Sequence, residues 1–401
     1  MSTSILYHAF GLKGIEHRAT YYHGRYVVFS AEMSTRKVVC PGCGNSRIIY
    51  KGRKRRQFRM PPIGRKRCIL DLLIHRVQCT QCGKLWWPRL SFLIGKHSFV
   101  RSFAIQVLDL LKIGTIKDVA EYMGVGWDLI KTIHKMKLKR MYRRIPVHGI
   151  QYFGIDEFSI RKGHEYMTIF VDLATGRIVH AVEGKSKESI TPFLKKLAMY
   201  GTNLKAIAMD MSSSFFWAVN EILPDVAVVF DRFHVMALMN KAIDSMRRDY
   251  QRQLDKTEKK TLKGSRFLLL RNYEELNPEH KSRLDILLEV NQPLAKIHFM
   301  KEQLRLFWDL CDRKRAADFL WSWCQDALSS GIKHLAKVAK TLMVYRRGLL
   351  AYFEHRISNA PVEGLVNKIK TLKRQAYGFR DIKYFKLRLY HLHTQRYSLA
   401  G

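Results

Sequence analysis

Three acidic residues stand at apolar segments in the middle of the chain. Asp156 lies within an apolar run, and Asp210 and Asp231 each directly follow one. A carboxylate in an otherwise apolar strand is costly to bury unless it binds something. In parallel α/β arrangements, ligands collect at the carboxyl ends of strands. Two or three carboxylates that converge there suit hard divalent cations such as magnesium.

Four of the seven cysteines form two Cys-x-x-Cys pairs, and a glycine follows each pair at once. Cys40 and Cys43 form the first pair, and Cys79 and Cys82 form the second. Four thiolates at this spacing can hold zinc in a tetrahedron, while the glycines let backbone amides turn toward the sulfurs. A redox-active pair is the alternative, but two matched pairs favour the structural zinc of a zinc ribbon. The remaining cysteines are expected to be core thiols: Cys68, Cys311 and Cys324.

The stretch 154–234 predicts the elements that would position the central acids. Its hydrophobic patterns indicate strand, strand, strand, helix, strand, helix and strand, in that order. Three hairpin-like strands followed by alternating helix and strand are the order of a ribonuclease H-like domain. Residues 235–350 are almost entirely helical in pattern. We interpret this block as an insertion, because the core still needs one more helix.

The missing helix is predicted near the C-terminus. It opens with Ser-Asn-Ala-Pro, which supplies a capping residue and an early proline, as helix starts do. Asn359, Glu363 and Asn367 are spaced by four, so they share one face, and we expect the two asparagines to support Glu363. Lys370 and Arg374 continue that face and would point toward phosphates. For Glu363 alone, an isolated salt bridge is the alternative interpretation.

The chain carries far more positive charge than solubility requires. Its 401 residues contain 71 Lys+Arg against 34 Asp+Glu, a formal net charge of +37. Residues 1–150 hold 29 Lys+Arg against 7 Asp+Glu, so +22 of that charge is concentrated there. A polyanionic partner, above all nucleic acid, explains such a surplus. A basic protein associated with ribosomes is the alternative, although it would not need the three acids.

No segment is long and apolar enough to span a bilayer, and the N-terminus has no signal-peptide pattern. We therefore expect a cytosolic protein without a membrane partner. The segment between the two cysteine pairs is rich in cations that we expect to contact DNA phosphates. A solvated charged loop is the alternative interpretation. The cations expected to contact DNA are Arg53, Lys54, Arg55, Arg56, Arg59, Arg65, Lys66 and Arg67.

Residues 115–134 predict a helix-turn-helix. Gly124 is the expected turn residue between two amphipathic helices. Trp127, Lys131 and Lys135 would start or line the recognition helix. A plain helical hairpin gives a similar pattern, but the neighbouring zinc ribbon and the concentrated positive charge favour DNA binding.

The sequence thus predicts a multidomain α+β chain with a zinc ribbon, a helix-turn-helix and a ribonuclease H-like α/β catalytic core that an all-α insertion interrupts. The expected domains are the zinc ribbon at 1–95, the helix-turn-helix at 96–148, the first part of the core at 149–240, the insertion at 241–350 and the last part of the core at 351–401.

In this order, the motifs resemble the ISL-three family of bacterial insertion-sequence transposases. The similarity covers nearly the whole chain and includes Gly-Ile-Asp156-Glu, Met-Asp210-Met-Ser, Phe-Asp-Arg-Phe-His234 and Ser-Asn-x-x-x-Glu363. The resemblance implies an Asp-Asp-Glu triad formed by Asp156, Asp210 and Glu363. Asp231 and His234 match an Asp-x-x-His pattern of transposases with helical insertions, in which they would brace the site or contact DNA at the cut.

The resemblance also implies chemistry and partners. Magnesium or manganese ions held by the triad would activate water and neutralise the leaving oxygen of a phosphodiester, whereas the zinc is structural. Water attacks first, and the freed 3′-hydroxyl then attacks target DNA at the same site. The expected protein is a cytoplasmic, nucleoid-associated bacterial transposase. It would bind the terminal inverted repeats of double-stranded DNA and act on them as a homodimer or a higher oligomer.

Two other functions fit parts of the sequence. One is a zinc-bearing DNA-binding regulator with an inactive nuclease fold, which would have no use for all three acids of the triad. The other is a nuclease that cuts DNA without joining it. Strand-transfer products distinguish the second alternative from a transposase.

Overall fold

The chain folds into two units that divide between Arg143 and Arg144. The computed structural model describes residues 5–36, 38–161, 163, 165–201, 203–253 and 264–394. The segments 254–263 and 395–401, which belong to the predicted insertion and to the predicted last part of the core, lie outside the described residues. Each unit has its own sheet.

The sheet of the first unit has five strands. They are β1 (Ile15–His23), β2 (Tyr26–Met33), β3 (Ile48–Ile63), β4 (Lys66–Cys79) and β5 (Leu85–Trp86). The order across the sheet is β1-β2-β4-β3, with β5 paired to the end of β4. Strands β2 and β4 run parallel, and the other neighbours are antiparallel. The long hairpin of β3 and β4 joins the two cysteine pairs, as the zinc-ribbon prediction requires.

Four helices complete the first unit. They are α1 (Ile5–His8), α2 (Arg101–Leu110), α3 (Ile116–Met123) and α4 (Trp127–Met141). Thr115 and Asp118 form a capping box at the start of α3, and Gly124 ends the helix with a φ of 61°. The turn residue is therefore the predicted glycine. Apolar residues of the strands and of α2, α3 and α4 share one core.

The sheet of the second unit also has five strands. They are β6 (Tyr152–Arg161), β7 (Glu165–Asp172), β8 (Arg177–Glu183), β9 (Ala206–Met209) and β10 (Ala227–Phe230). The order is β10-β9-β6-β7-β8. Strands β10, β9 and β6 are mutually parallel, whereas β6, β7 and β8 form antiparallel pairs. Helices α5 (Lys187–Met199) and α6 (Ser213–Ile222) connect the later strands, so the predicted order of strands and helices is confirmed.

Helices fill the rest of the second unit. They are α7 (Arg232–Gln253), α8 (Ser265–Leu270), α9 (Pro278–Glu289), α10 (Gln292–Leu306), α11 (Arg313–Ser329), α12 (Lys333–Val344), α13 (Arg346–His355), α14 (Ala360–Gln375) and α15 (Ile382–His391). Both boundaries predicted for the insertion fall inside helices, at 240/241 in α7 and at 350/351 in α13. The division into five domains stays a prediction. Within the described residues, no helix has the length and apolar character needed to cross a bilayer.

Candidate active site

The register of the second sheet places three acids at one level. Strands β6 and β9 run parallel, with Gly154 paired to Ala208. Asp156 and Asp210 each follow two residues later, so they stand beside each other on neighbouring strands. The parallel pairing of β9 with β10 brings Asp231 to the same level. The acids therefore meet at the edge of the sheet where the parallel strands end, as the sequence predicts.

Negative charge is crowded between the first two acids. Burial raises the pKa of Asp156 to about 7, and the charge of Asp210 adds to the rise, although the amide of Glu157 donates to Asp156 Oδ1 at 2.8 Å. Burial also raises the pKa of Glu157, and Asp210 again contributes. Ionisation of these neighbouring carboxyls is unfavourable without a cation, and a cation bound beside them would stabilise their ionised forms.

His234 lies between the second and third acids of the predicted triad. Its Nε2 is 2.5 Å from Asp210 Oδ1 and 3.4 Å from Glu363 Oε1. Burial lowers the pKa of His234, but the contacts with Asp210 and Glu363 outweigh burial and the net shift is upward. His234 thus links two carboxylates that come from a strand end and from α14.

The donors at this site fit a hard divalent cation. Asp210 Oδ1 and His234 Nε2 form a close ion pair, and Asp156 and Asp210 stand level on neighbouring parallel strands. Carboxylate oxygens are the ligands that a hard divalent cation such as magnesium prefers.

Asp231 and Asn359 form a buried bracket that joins three elements. Asp231 accepts hydrogen bonds from the amide of Phe233 at the start of α7 and from the amide of Asn359 at the start of α14, both at 2.8 Å. Asn359 has no exposed surface, and its Nδ2 donates to the carbonyl of Ile155 on β6 at 3.3 Å. The side chain of this N-cap residue does not cap its own helix. It ties the Glu363 helix to the Asp156 strand instead.

Gly154 allows α14 to approach β6 closely. A Cβ at this position would lie 2.3 Å from Val362 Cγ2 and 2.9 Å from Leu173 Cδ2. Gly154→Ala should therefore displace α14, lower stability by about 1–3 kcal/mol and slow any reaction that depends on Glu363 by about 100-fold, because misplacement by ~1 Å is costly. Reaction kinetics and thermal unfolding measure the two effects.

Gly364→Ala is the matched control for this prediction. Gly364 adjoins Glu363 on α14, but a Cβ there would meet nothing within 4 Å. The control should keep the wild-type reaction rate and gain about 0.5–1 kcal/mol of stability, since alanine is the better helix former. Equal rates for Gly154→Ala and wild type would contradict the close packing of α14 on β6.

The four paired cysteines meet in the first unit. In the described chain they are the one set of three or more His, Cys, Asp or Glu residues whose ligand atoms all lie within 4.8 Å of one another. Cys40 Sγ is 3.4 Å from Cys82 Sγ, and Cys43 Sγ is 3.5 Å from Cys79 Sγ. Burial raises the pKa of the Cys40 thiol, but hydrogen bonds from the amides of Cys43 and Gly42 outweigh burial and lower the pKa to about 6. Four converging sulfurs are the donor set of a structural zinc site.

Two family models match the chain. One is described as "Transposase" and matches residues 153–389, more than half of the chain. The chain belongs to the ISL-three family of transposases. The second model, "zinc-finger of transposase IS204/IS1001/IS1096/IS1165", matches residues 36–82 and identifies the N-terminal zinc ribbon. The predicted family and the predicted zinc ribbon are confirmed.

Relatives of this ISL-three chain are similar along most of its length. A transposase for insertion sequence element IS1001 of Bordetella parapertussis is 33% identical over 373 residues, which is 91% of each chain. A transposase for IS1557 of Mycobacterium tuberculosis is 26% identical over 376 residues, 85% of this chain and 82% of the relative. A Drosophila P element transposase strand transfer complex gives a TM-score of 0.39 at 11% identity, covering 74% of this chain and 92% of that one. That score does not establish a shared fold.

The basic hairpin of this ISL-three chain combines internal contacts with exposed cations. Arg55 lies 2.5 Å from Asp71, Arg56 donates to the carbonyl of Lys96 at 3.1 Å, and Arg67 donates to a tyrosine hydroxyl at 3.1 Å. These three arginines help to hold the unit together. Their contact with DNA stays a prediction. The predicted DNA-binding cations of the hairpin with exposed side chains are Arg53, Lys54, Arg55, Arg59, Arg65 and Lys66.

The other residues predicted to bind DNA lie on two helices. Trp127 is exposed at the start of α4, where Lys131 lies over its ring at 5.7 Å, and Lys135 follows one turn later. On α14, Lys370 and Arg374 are exposed. The exposed side chain of Asn367 also lies on α14, in contrast to the buried Asn359.

Sequence reasoning missed two residues that shape the site. Glu157 is a second partly buried acid, and burial together with the charge of Asp210 raises its pKa. Gly154 is needed because α14 packs directly on it. The sequence signal was present in Gly-Ile-Asp-Glu, since a glycine inside an apolar strand often marks a close approach of another element.

Proposed function

We propose that this chain is an Asp-Asp-Glu DNA transposase with a ribonuclease H-like core, and that Asp156, Asp210 and Glu363 form its catalytic triad. The proposal would have the chain bind the terminal inverted repeats of an insertion sequence, cleave DNA there and join the ends to a target. The observation that carries it is the convergence of the two aspartates on neighbouring parallel strands with Glu363, which His234 links to Asp210. The sheet order and the family of the chain support it.

The triad would hold magnesium or manganese. When bound, a pair of such ions about 3.5–4 Å apart supplies an activated water and stabilises the leaving oxygen of a phosphodiester. The raised pKa of Asp156 and the carboxylate of Asp210 beside it on the neighbouring strand both favour a cation at this position.

The residues of the chain would position the reacting groups. Asp156 and Asp210 are fixed by the register of the sheet, and Glu363 is fixed by the packing of α14 on β6. The bracket of Asp231 and Asn359 holds α7 and α14 at that edge. Attack of water at an element end would break one P–O bond and free a 3′-hydroxyl. At the same site, that hydroxyl would lose its proton and attack a phosphodiester of the target strand, forming a new P–O bond while the target's own P–O3′ bond breaks and its 3′-oxygen leaves as a hydroxyl.

The first unit would recognise the element ends. Its exposed cations on the β3–β4 hairpin and on α4 would contact phosphates and base edges, and zinc at the four cysteines would stabilise the hairpin. We propose that α3 and α4 act as a helix-turn-helix. Because two ends must be cut and joined together, the active form on DNA would be at least a dimer.

Cleavage of a labelled duplex that carries the element's terminal repeat tests the proposal. Wild type with magnesium should nick the element end, and Asp210→Asn should bind the duplex without cutting it. Transfer of the cut end into a plasmid separates a transposase from a nuclease that does not join. Binding without cleavage by wild type would support the DNA-binding regulator instead.

The bracket can be tested by Asp231→Asn. Asparagine keeps one acceptor oxygen, so the amide of Phe233 or of Asn359 loses its partner, and α7 or α14 loses part of its anchorage. We expect cleavage to slow by about 10–100-fold and the magnesium concentration at half-maximal rate to rise several-fold. Rates measured over a magnesium series give both values.

Asp225→Asn is the control for the bracket. Asp225 is exposed just before the opposite end of β10, so its rate and magnesium dependence should match wild type. A purely structural role for Asp231 would lower the melting temperature and leave the magnesium dependence of the folded enzyme unchanged. That result would argue against a positioning role.

A further inference from the structure

Tyr377 has a strained backbone conformation, and packing of its side chain does not offset the strain. Its φ is 49°, in the left-handed region that disfavours bulky residues. It directly follows the C-cap of α14, at a position where glycine is usual. The side chain is 100% exposed. A glycine here would cost less strain, so the tyrosine ring needs another reason to be present.

Arg356 shows how a similar conformation can be stabilised from within. In the described chain, Arg356 and Tyr377 are the non-glycine residues with positive φ. Arg356 donates to the carbonyls of Leu310 and Cys311 at 3.2 and 3.0 Å, and its guanidinium lies over the ring of Phe353. These contacts offset the strain of its backbone. The fully exposed ring of Tyr377 has no comparable burial, which points to a partner outside the chain.

The exposed ring stands just beyond the end of α14, the helix that carries Glu363. Glu363, Asn367, Lys370 and Arg374 follow one another at intervals of four, three and four, so they form one stripe of the helix. Tyr377 lies two residues after the helix ends at Gln375, and its amide donates to the carbonyl of Arg374, the last residue of the stripe. At about 1.5 Å per residue, the helix runs about 18 Å from Glu363 to its end, which corresponds to about five nucleotides of a DNA strand.

The loop that presents the ring is fixed on both sides. The amide of Tyr377 donates to the carbonyl of Arg374 at 3.1 Å, which closes the end of α14. Beyond it, Phe379 stacks on Phe385 with ring centroids 4.5 Å apart, and its carbonyl accepts from Arg161 at 3.2 Å. A backbone that is fixed before binding limits the conformational entropy lost when a partner stacks on the ring.

We propose that Tyr377 is a stacking platform for an unpaired base of the DNA strand that leaves the active site along α14. The cations Lys370 and Arg374 on the stripe of α14 would bind the phosphates of that strand, and Arg380 adds positive charge beyond the ring. Aromatic stacking accepts any base, so the platform would act without sequence preference. The assignment of the partner as DNA rests on the proposed function.

The test compares three variants of the full chain. Tyr377→Gly removes the ring and relieves the backbone, Tyr377→Phe keeps the ring without its hydroxyl, and Trp321→Ala removes another exposed aromatic side chain. Anisotropy of a labelled dT20 strand, without divalent cations and at one fixed salt concentration, gives the affinity of each variant. Thermal unfolding gives the effect of each change on the fold.

We expect Tyr377→Gly to weaken binding of dT20 by about 5–100-fold while its melting temperature rises by about 1–2 °C. Tyr377→Phe and Trp321→Ala should bind within about two-fold of wild type, because neither removes the platform. The opposite signs of the two Tyr377→Gly effects separate a lost contact from a damaged fold.

Two results would overturn the platform. Wild-type affinity in Tyr377→Gly would show that the ring contributes nothing, and an equal loss in Tyr377→Phe would assign the effect to the hydroxyl. Both leave the proposed function intact as long as wild type cleaves the terminal repeat. Failure of wild type to bind or cleave DNA would be a failure of the proposed function itself.

Discussion

Replacing Asp156 with asparagine should abolish cleavage of the element end and leave its binding intact. The carboxylate lies level with Asp210 at the edge of the parallel strands, where a cation would be held. Asparagine has the same shape but no charge, so about several kcal/mol of stabilisation of the transition state would be lost. We expect the rate to fall by about a thousand-fold or more, measured as nicking of a labelled terminal-repeat duplex with magnesium.

Stability supplies the control for this loss. Burial and the charge of Asp210 raise the pKa of Asp156 to about 7, so at pH 8 an ionised Asp156 destabilises the fold in the absence of metal. The uncharged asparagine removes that cost, and the melting temperature of metal-free Asp156→Asn should equal or exceed that of wild type at pH 8. The penalty is constant above the folded pKa of about 7, shrinks as the pH falls toward 3.8, the ordinary pKa of aspartate, and the difference should disappear below that value, where Asp156 is neutral in both the folded and the unfolded chain.

Glu363→Gln should also abolish cleavage and leave DNA binding intact, whereas Glu165→Gln should change neither. Glu363 is the third acid of the proposed triad and contacts His234 at 3.4 Å. Glu165 is an exposed acid at the start of β7 that lies 3.8 Å from Arg161, so its change should leave cleavage unaffected. If Asp156→Asn or Glu363→Gln lost DNA binding together with cleavage, these acids would be structural and the proposed triad would be wrong.

The positions of the acids were predictable because strand patterns are local. Asp210 and Asp231 directly follow short apolar runs. Neighbouring parallel strands have their carboxyl ends at the same edge of a sheet. Asp156 could be added because it interrupts the first strand of the same block. No information from distant parts of the chain is needed for these three assignments.

The bracket could not be predicted, because it depends on contacts across the insertion. Asn359 meets Asp231 and Ile155, which precede it by 128 and 204 residues. In the sequence, Asn359 is an ordinary helix-capping residue spaced by four from Glu363. Its buried position follows from the close packing of α14 on Gly154, a tertiary feature that has no periodic signal.

The cysteine pairs lie at the other extreme, since spacing alone defines their chemistry. The sequence predicts the four ligands of a zinc ribbon, and the structure brings all four sulfurs together. The contacts that Arg55, Arg56 and Arg67 make within the first unit were not predictable, because a cation that binds phosphate and a cation that binds a neighbouring side chain look alike in sequence.

Removal of one zinc ligand by Cys43→Ser should unfold the zinc ribbon. Cys43 Sγ lies 3.5 Å from Cys79 Sγ in the four-sulfur cluster, and a structural zinc ion contributes directly to folding. Metal analysis should fall from about one zinc per chain to near zero. Binding to the element end should weaken by about ten-fold or more, as the cations of the β3–β4 hairpin lose their fixed arrangement.

Cys311→Ser separates the loss of zinc from the loss of any cysteine. Cys311 is exposed and lies in the second unit, so this variant should keep its zinc and its affinity for DNA. The buried core residues around the second sheet all lie at Val147 or later in the sequence, whereas those of the first unit all lie at Ile133 or earlier. Thermal unfolding of Cys43→Ser should therefore lose the transition of the first unit and retain that of the second. Two results would contradict this prediction: a purified wild type without zinc, and a Cys43→Ser variant that binds the element end as wild type does. Either result would show that the four sulfurs do not stabilise the first unit through a metal.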